Sequence, residues 1–230
     1  MFVIFDLDGT LADMGKPTTS QDVVLLHQLR DKGISIALSS GKPTFYLCGF
    51  ARQLGLPDAI LIGENGSVIQ EGVSLPPPFY REAEIPPITK SALKQLREKL
   101  EEAFPDRIWY QPNSTALTPF PAYQEDFPLI QALLDDFITE EMNLAVYAHP
   151  DCFDITYNRL SKGAGIRWLS ELTGVSPKDM IAVGDWTNDY PMFRQVGYSV
   201  GIHLPDPTQA TVNFPTLTEA LEHILSLIEP

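Results

Sequence analysis

Four short stretches of the chain carry the side chains that could do chemistry. The first is Phe2-Val3-Ile4-Phe5-Asp6-Leu7-Asp8-Gly9-Thr10, where two carboxylates stand two residues apart directly after an unbroken apolar run. Carboxylates so close repel unless a cation joins them or one holds a proton. Mg2+ is the natural partner, because it takes oxygen ligands and is usually held by one or two carboxylates plus a substrate phosphate. A plain Asp-Gly turn after a strand accounts for the same letters without chemistry. A calcium loop does not, since the glycine comes too early and a strand leads in. The second stretch, Ser39-Ser40-Gly41-Lys42-Pro43, adds a hydroxyl and an ammonium. The third, Ser161-Lys162-Gly163, sets a lysine in the first turn of a helix, against the helix dipole by roughly 0.3 to 1 kcal/mol, which hints at an anion to be bound. The fourth, Gly184-Asp185-Trp186-Thr187-Asn188-Asp189, again puts carboxylates after an apolar run.

The elements that must position these groups follow from the periodicity. Residues 2–5 are apolar, β-branched or aromatic, and suit a strand covered on both faces. Residues 34–38, 59–62, 180–183 and 198–202 read as further short buried strands. Between them lie helices: one capped by Thr18-Thr19-Ser20 and closed by Gly33, one led by Pro43 and closed by Gly55, and one from Ser161 to Gly174. Shorter helices are expected over 190–195 and 218–227, and residues 205–215 read as irregular. The β, α, β, α, β order predicts an α/β fold, a doubly wound, Rossmann-like parallel sheet. In such a sheet ligands sit beyond the carboxyl ends of the strands, so Asp6 with Asp8, Ser40 with Lys42, and Asp185 with Asp189 are expected at one edge. Asn65-Gly66 signals a hairpin between residues 61–62 and 68–69, and a simple turn is its plainest reading.

From Leu75 the prolines 76–78 and 86–87 interrupt the rhythm. Helices over 88–104 and 127–138 and strands over 107–111, 115–118, 144–148 and 153–157 then give an αββαββ unit. Residues 75–156 are accordingly an inserted α+β cap domain, with 1–74 and 157–230 as the core. Sixteen Lys and Arg against thirty Asp and Glu, a formal net charge of -14, argue against nucleic acid or an anionic membrane as partner. No charged-then-apolar leader opens the chain and no apolar run would span a bilayer, so a cytoplasmic protein, monomer or homodimer, is expected. Cys48 and Cys152 stand in unrelated contexts, reading as buried thiols rather than a disulfide or zinc site, and the four histidines show no metal spacing.

Together the four stretches resemble the haloacid dehalogenase superfamily of aspartyl-phosphate enzymes, whose motifs match here as DLDGT, SSGK, SKG and GDWTND. The insert resembles that of the Cof-type, class IIB branch. The resemblance implies a phosphatase in which Asp6 is the nucleophile attacking phosphorus and Asp8 the general acid, then base. It implies a Mg2+ cofactor on Asp6, the backbone carbonyl of Asp8, and Asp185. Ser40 and Lys162 would bind the phosphoryl oxygens, and Asp189 would orient the ligands or Lys162. Gly41, Lys42, Asn65, Arg159 and Asn188 complete the implied substrate-facing set. Two departures stand out. Many relatives read Thr-Gly-Arg where Ser40-Gly41-Lys42 stands, and lysine lacks the bidentate fork of arginine. His203-Leu204-Pro205 replaces small polar residues often found after the last strand.

Gly63-Glu64-Asn65-Gly66 and Asn158-Arg159 are similar to the small archaeal-type phosphoglycolate phosphatases of this branch. That implies phosphoglycolate as the small phosphorylated metabolite, with Arg159 clamping its carboxylate or serving as a hinge residue. Sugar phosphates and phosphorylated glycosyl acids, such as mannosyl-3-phosphoglycerate or sucrose phosphate, come next. A phosphomutase would share the motifs, and a non-catalytic binding module on the same fold is the remaining alternative. Residues 11–17 and the linkers near Leu75 and Asn158 are the expected hinges.

Overall fold

Phe2–Phe5 forms β1 with all four residues buried, and the rest of the sheet is laid out around it. The computed structural model describes residues 1–13 and 15–228; Met14, within the loop expected as a hinge, lies outside the described residues. The chain divides into two compact units, Met1–Arg81 with the residues from Ser161 onward, and Glu82–Leu160.

In the first unit, β1 is followed by α1 (Ser20–Asp31), β2 (Ser35–Ser39), α2 (Thr44–Gln53), β3 (Ile60–Gly63), β4 (Val68–Glu71) and β5 (Tyr80–Glu82). In the second unit come α3 (Pro87–Ala103), β6 (Ile108–Gln111), β7 (Thr118–Pro121), α4 (Phe127–Phe137), β8 (Leu144–Ala148) and β9 (Phe153–Tyr157). The chain returns to the first unit with α5 (Lys162–Thr173), β10 (Met180–Gly184), α6 (Tyr190–Phe193), β11 (Tyr198–Ile202), β12 (Val212–Phe214) and α7 (Leu217–Ile228).

The first unit holds an eight-stranded sheet in the order β12-β11-β10-β1-β2-β3-β4-β5. Strands β12 to β3 pair in parallel, and β4 runs antiparallel to β3. Alternation along each strand sends its side chains to two cores. Val3, Phe5, Ile36, Leu38 and Val183 pack with Leu26 and Leu29 of α1, Leu47 of α2 and Leu221 of α7. Ile4, Ala37, Ile62 and Ala182 pack with Ile166 and Leu169 of α5 and Met192 of α6. Both faces are therefore covered, which is why the strands read as continuous apolar runs. Among the described residues no helix is long and apolar enough to cross a membrane.

Several local expectations are corrected. The strand expected over 115–118 lies at Thr118–Pro121, because prolines alternate in it with residues that pair. Leu117 exchanges both backbone bonds with Ile155, so parity turns Thr118, Phe120 and Ala122 toward β6 and leaves Pro119 and Pro121 on the other side. Lacking N–H groups, they stop the pairing with β9 after one bridge, and the unit carries two separate two-stranded sheets. Both are backed by a core of Leu96, Leu100, Ile130, Leu134, Phe153 and Ile155. Residues 205–215 are not wholly irregular: Val212–Phe214 adds a parallel edge strand to β11. The helix expected over 190–195 ends at Phe193. Ser161 stands at the N-cap of α5 without a side-chain cap bond. Cys48 is half-buried and accepts a hydrogen bond from Gln70 Nε2 at 2.9 Å, so only Cys152 is a buried thiol.

Candidate active site

Register brings the chemistry to one edge. Phe5 of β1 lies level with Val183 on one side and Leu38 on the other, and the Asp6 N–H donates to the Val183 carbonyl at 2.9 Å. Asp6, Ser40 and Asp185 thus follow three adjacent strands at their carboxyl ends. Gly9 bends the loop after β1 with φ 89°, and a Cβ there would strike the Asp185 carboxylate. Only glycine lets the loop approach so closely at that dihedral. Thr10 Oγ1 then donates to Asp185 Oδ1 at 2.9 Å. This threonine was not among the residues read from sequence as functional; its signal is a hydroxyl two residues beyond Asp8 in the same loop.

Lys162 is 1% exposed, yet it is the first residue of α5. Its Nζ donates to Asp6 Oδ1 at 2.5 Å and to Asp189 Oδ1 at 2.6 Å. Burial alone would lower its pKa, but the charges of Asp189 and Asp6 overcome this and raise it, so the ammonium is permanent. Asp189, fully buried, uses its other oxygen to accept the N–H groups of Asp185 and Trp186 at 2.9 and 3.1 Å. With both oxygens engaged, it fixes the lysine on one side and the Asp185 loop on the other. Burial pushes its carboxyl up to about 6, against the pull of Lys162.

Asp185 is the carboxylate most disfavoured in its charged form. Burial and the neighbouring charges of Asp6 and Asp189 push it up to about 8, with the Thr10 hydrogen bond opposing. Asp6, Asp185 and Asp189 each offer an oxygen, all within 4.8 Å of one another. An all-oxygen donor set with excess negative charge suits a hard divalent cation, and a cation would relieve the repulsion that raises Asp185. The residues present therefore fit Mg2+.

The other expected residues are placed as follows. Lys42 Nζ lies 3.7 Å from Asp8 Oδ2, which puts this lysine against the acid beside the cluster. Ser40 Oγ accepts the Lys42 N–H at 3.1 Å, so the hydroxyl orders its own loop while keeping its proton to give. Gly41 lies between them, half-buried. Asn65 is buried in a 3-10 turn over Glu64–Gly66 that joins β3 to β4; the hairpin is real, but its connection is longer than the two-residue turn its letters suggest. Asn188 is buried in the turn carrying Asp189. Arg159 is exposed and belongs to the second unit.

A doubly wound sheet places its ligands beyond the carboxyl ends of its strands, and the clustered carboxylates with a buried ammonium found there suit a divalent cation and an anion. The family follows from comparison: the profile of haloacid dehalogenase-like hydrolases matches residues 3–116 and 115–204, and the chain belongs to that family. A phosphoglycolate phosphatase of Methanococcoides burtonii is 27% identical over 235 residues, covering 97% of this chain and 96% of the relative. A haloacid dehalogenase-like hydrolase from Bacteroides thetaiotaomicron shares the fold, with TM-score 0.78 at 18% identity over 97% of this chain and 98% of the other. So does a subclass IIB sugar phosphatase of the superfamily, with TM-score 0.73 at 18% identity over 97% and 98%.

Proposed function

We propose that this phosphatase hydrolyses a small phosphomonoester, phosphoglycolate first, through an aspartyl phosphate on Asp6, acting in the cytoplasm. The observation that carries the reading is Lys162 Nζ held between Asp6 Oδ1 and Asp189 Oδ1. The Lys162 ammonium orients the Asp6 carboxylate through Oδ1, and an oxygen of that carboxylate attacks. The new bond joins that Asp6 oxygen to phosphorus as the bond to the ester oxygen breaks, and Asp8 gives its proton to the leaving alkoxide. Asp8 then takes a proton from water, which attacks phosphorus and releases inorganic phosphate and the Asp6 carboxylate. Lys162 and the Ser40 hydroxyl offset the charge on the phosphoryl oxygens. Asp6, the Asp8 carbonyl and Asp185 would hold Mg2+, which when bound would further neutralise that charge. Lys42 lies beside Asp8, with Nζ 3.7 Å from Oδ2.

Phosphoglycolate is favoured because the relative named above, matched over 96% of its length, carries that activity in its name. The test is phosphate release from phosphoglycolate, hexose phosphates, phosphoglycerates and an aryl phosphate, with Mg2+ or chelator, for wild type and Asp6→Asn. Preference for phosphoglycolate, lost in chelator and in the variant, is the expected result. Activity surviving Asp6→Asn refutes the mechanism, and a preference for sugar phosphates refutes the substrate alone.

A further inference from the structure

The Glu64–Gly66 turn carries no group that the chemistry above uses, yet three residues in succession are left-handed there: Glu64 with φ 50°, Asn65 with φ 53° and Gly66 with φ 91°. Asparagine and glycine adopt that conformation readily, but glutamate holds it only where its surroundings over-determine it. On one side the surroundings are the second-motif loop, since Glu64 N–H donates to the Lys42 carbonyl and Asn65 N–H to the Ser40 carbonyl, each at 3.0 Å. On the other side is the first turn of α5. A Cβ on Gly66 would strike the Ser161 carbonyl, and one on Gly165 would lie 2.5 Å from Ile62 Cγ2 and 3.1 Å from Gly66 Cα. The far side of α5 is closed as well, because a Cβ on Gly163 would strike the Pro191 carbonyl.

The helix that begins with Lys162 is therefore wedged, with no room for a methyl group on either flank. The same turn that wedges it also grips the loop of Ser40. We infer that the Glu64–Gly66 turn, with Gly165 facing it, is a positioning device that locks the Ser40 loop and the start of α5 together and so sets where Ser40 and Lys162 meet a phosphoryl group. Gly66 and Gly165 are its positioning residues. The last step rests on the phosphatase reading given above; the placement of Lys162 does not.

Gly165→Ala tests it. Ordinary contact would need Ile62 and α5 to part by about 1 Å, and a misplacement of that size lowers kcat roughly 100-fold. A crystal structure of the variant should find Lys162 Nζ beyond hydrogen-bond reach of Asp6 or Asp189. Gly165→Ala with Ile62→Ala removes the closer of the two contacts, that with Ile62 Cγ2, and leaves the 3.1 Å contact with Gly66 Cα, so kcat should recover by roughly tenfold of the 100-fold lost. Gly33→Ala is the control: with φ 78° and nothing within 4 Å of its Cβ, it should lower the melting temperature and leave kcat alone. If Gly165→Ala does not fold, Ile62→Ala decides, since a slack seam should lower kcat while the Gly33 control does not. The inference is overturned if Lys162 keeps both bonds in Gly165→Ala, if Gly165→Ala, like the control, lowers the melting temperature and leaves kcat unchanged, or if the double variant is as slow as Gly165→Ala alone. A wild type without phosphatase activity would refute the function, and the crystal structures would still decide the placement of Lys162.

Discussion

Asp185→Asn should make the metal-free protein more stable at pH 8 while abolishing its response to Mg2+. Asp185 is raised from 3.8 to about 8 by burial and by the charges of Asp6 and Asp189. A carboxylate with a raised folded pKa contributes stability that is complete below its unfolded pKa and is lost as pH rises through the folded one. The metal-free wild type should therefore weaken steadily between about pH 4 and pH 8. At roughly 1.36 kcal/mol per pKa unit, ionising the group at pH 8 has an upper limit of about 6 kcal/mol. Solvent reaches this half-buried side chain, and screening reduces the figure to about 2 kcal/mol. Asparagine keeps an oxygen to accept the Thr10 hydroxyl, which donates to Asp185 Oδ1 at 2.9 Å, and carries no charge. In a chain of this size about 2 kcal/mol corresponds to a melting rise of roughly 4 to 8 °C. The assay is a melting series from pH 5 to 8 in chelator and in Mg2+, for wild type and variant. The reasoning is refuted if the wild type in chelator does not weaken with rising pH, if the variant is no more stable at pH 8, or if Mg2+ stabilises both proteins equally.

Asp189→Asn leaves an amide that cannot accept from Lys162 and from two backbone N–H groups at once. With Asp6 still pairing the lysine, the loss should fall near about 3 kcal/mol, read as a lower urea midpoint at unchanged slope; an unchanged midpoint counts against it. Leu96→Ala, at a fully buried position of α3 in the second unit, should cost about 2 to 5 kcal/mol. Hydrogen exchange should then speed up across 82–160 more than across 1–81, and uniform acceleration would argue that the two units unfold together.

Much of the fold was legible because its signals are local. Short apolar runs rich in β-branched residues, too short for a helix, suit strands covered on both faces, and Thr19, Pro43 and Gly174 mark helix ends by their own dihedral and hydrogen-bond preferences. Where the reading failed, a distant partner decided. Val212–Phe214 is a strand because β11 offers an open edge, and Thr118–Pro121 tolerates its prolines because their missing donors face away from β6.

The candidate site divides the same way. The residue types and their places after strands came from sequence alone, since a carboxylate following a buried apolar run must stand at a sheet edge. Lys162 was conspicuous as a lysine opposing a helix dipole. What it touches, Asp6 at a separation of 156 residues, is set by the parallel register of β1 and β10 and by the glycine-lined wedge around α5. The same holds for Thr10 on Asp185 and for the rise of the Asp185 carboxyl, because both depend on distances and burial that no local pattern encodes. Sequence determined which groups are available, through local preference and periodicity. Only tertiary structure decided which of them meet, because hydrogen bonds and charge repulsion act across space between segments far apart in the chain.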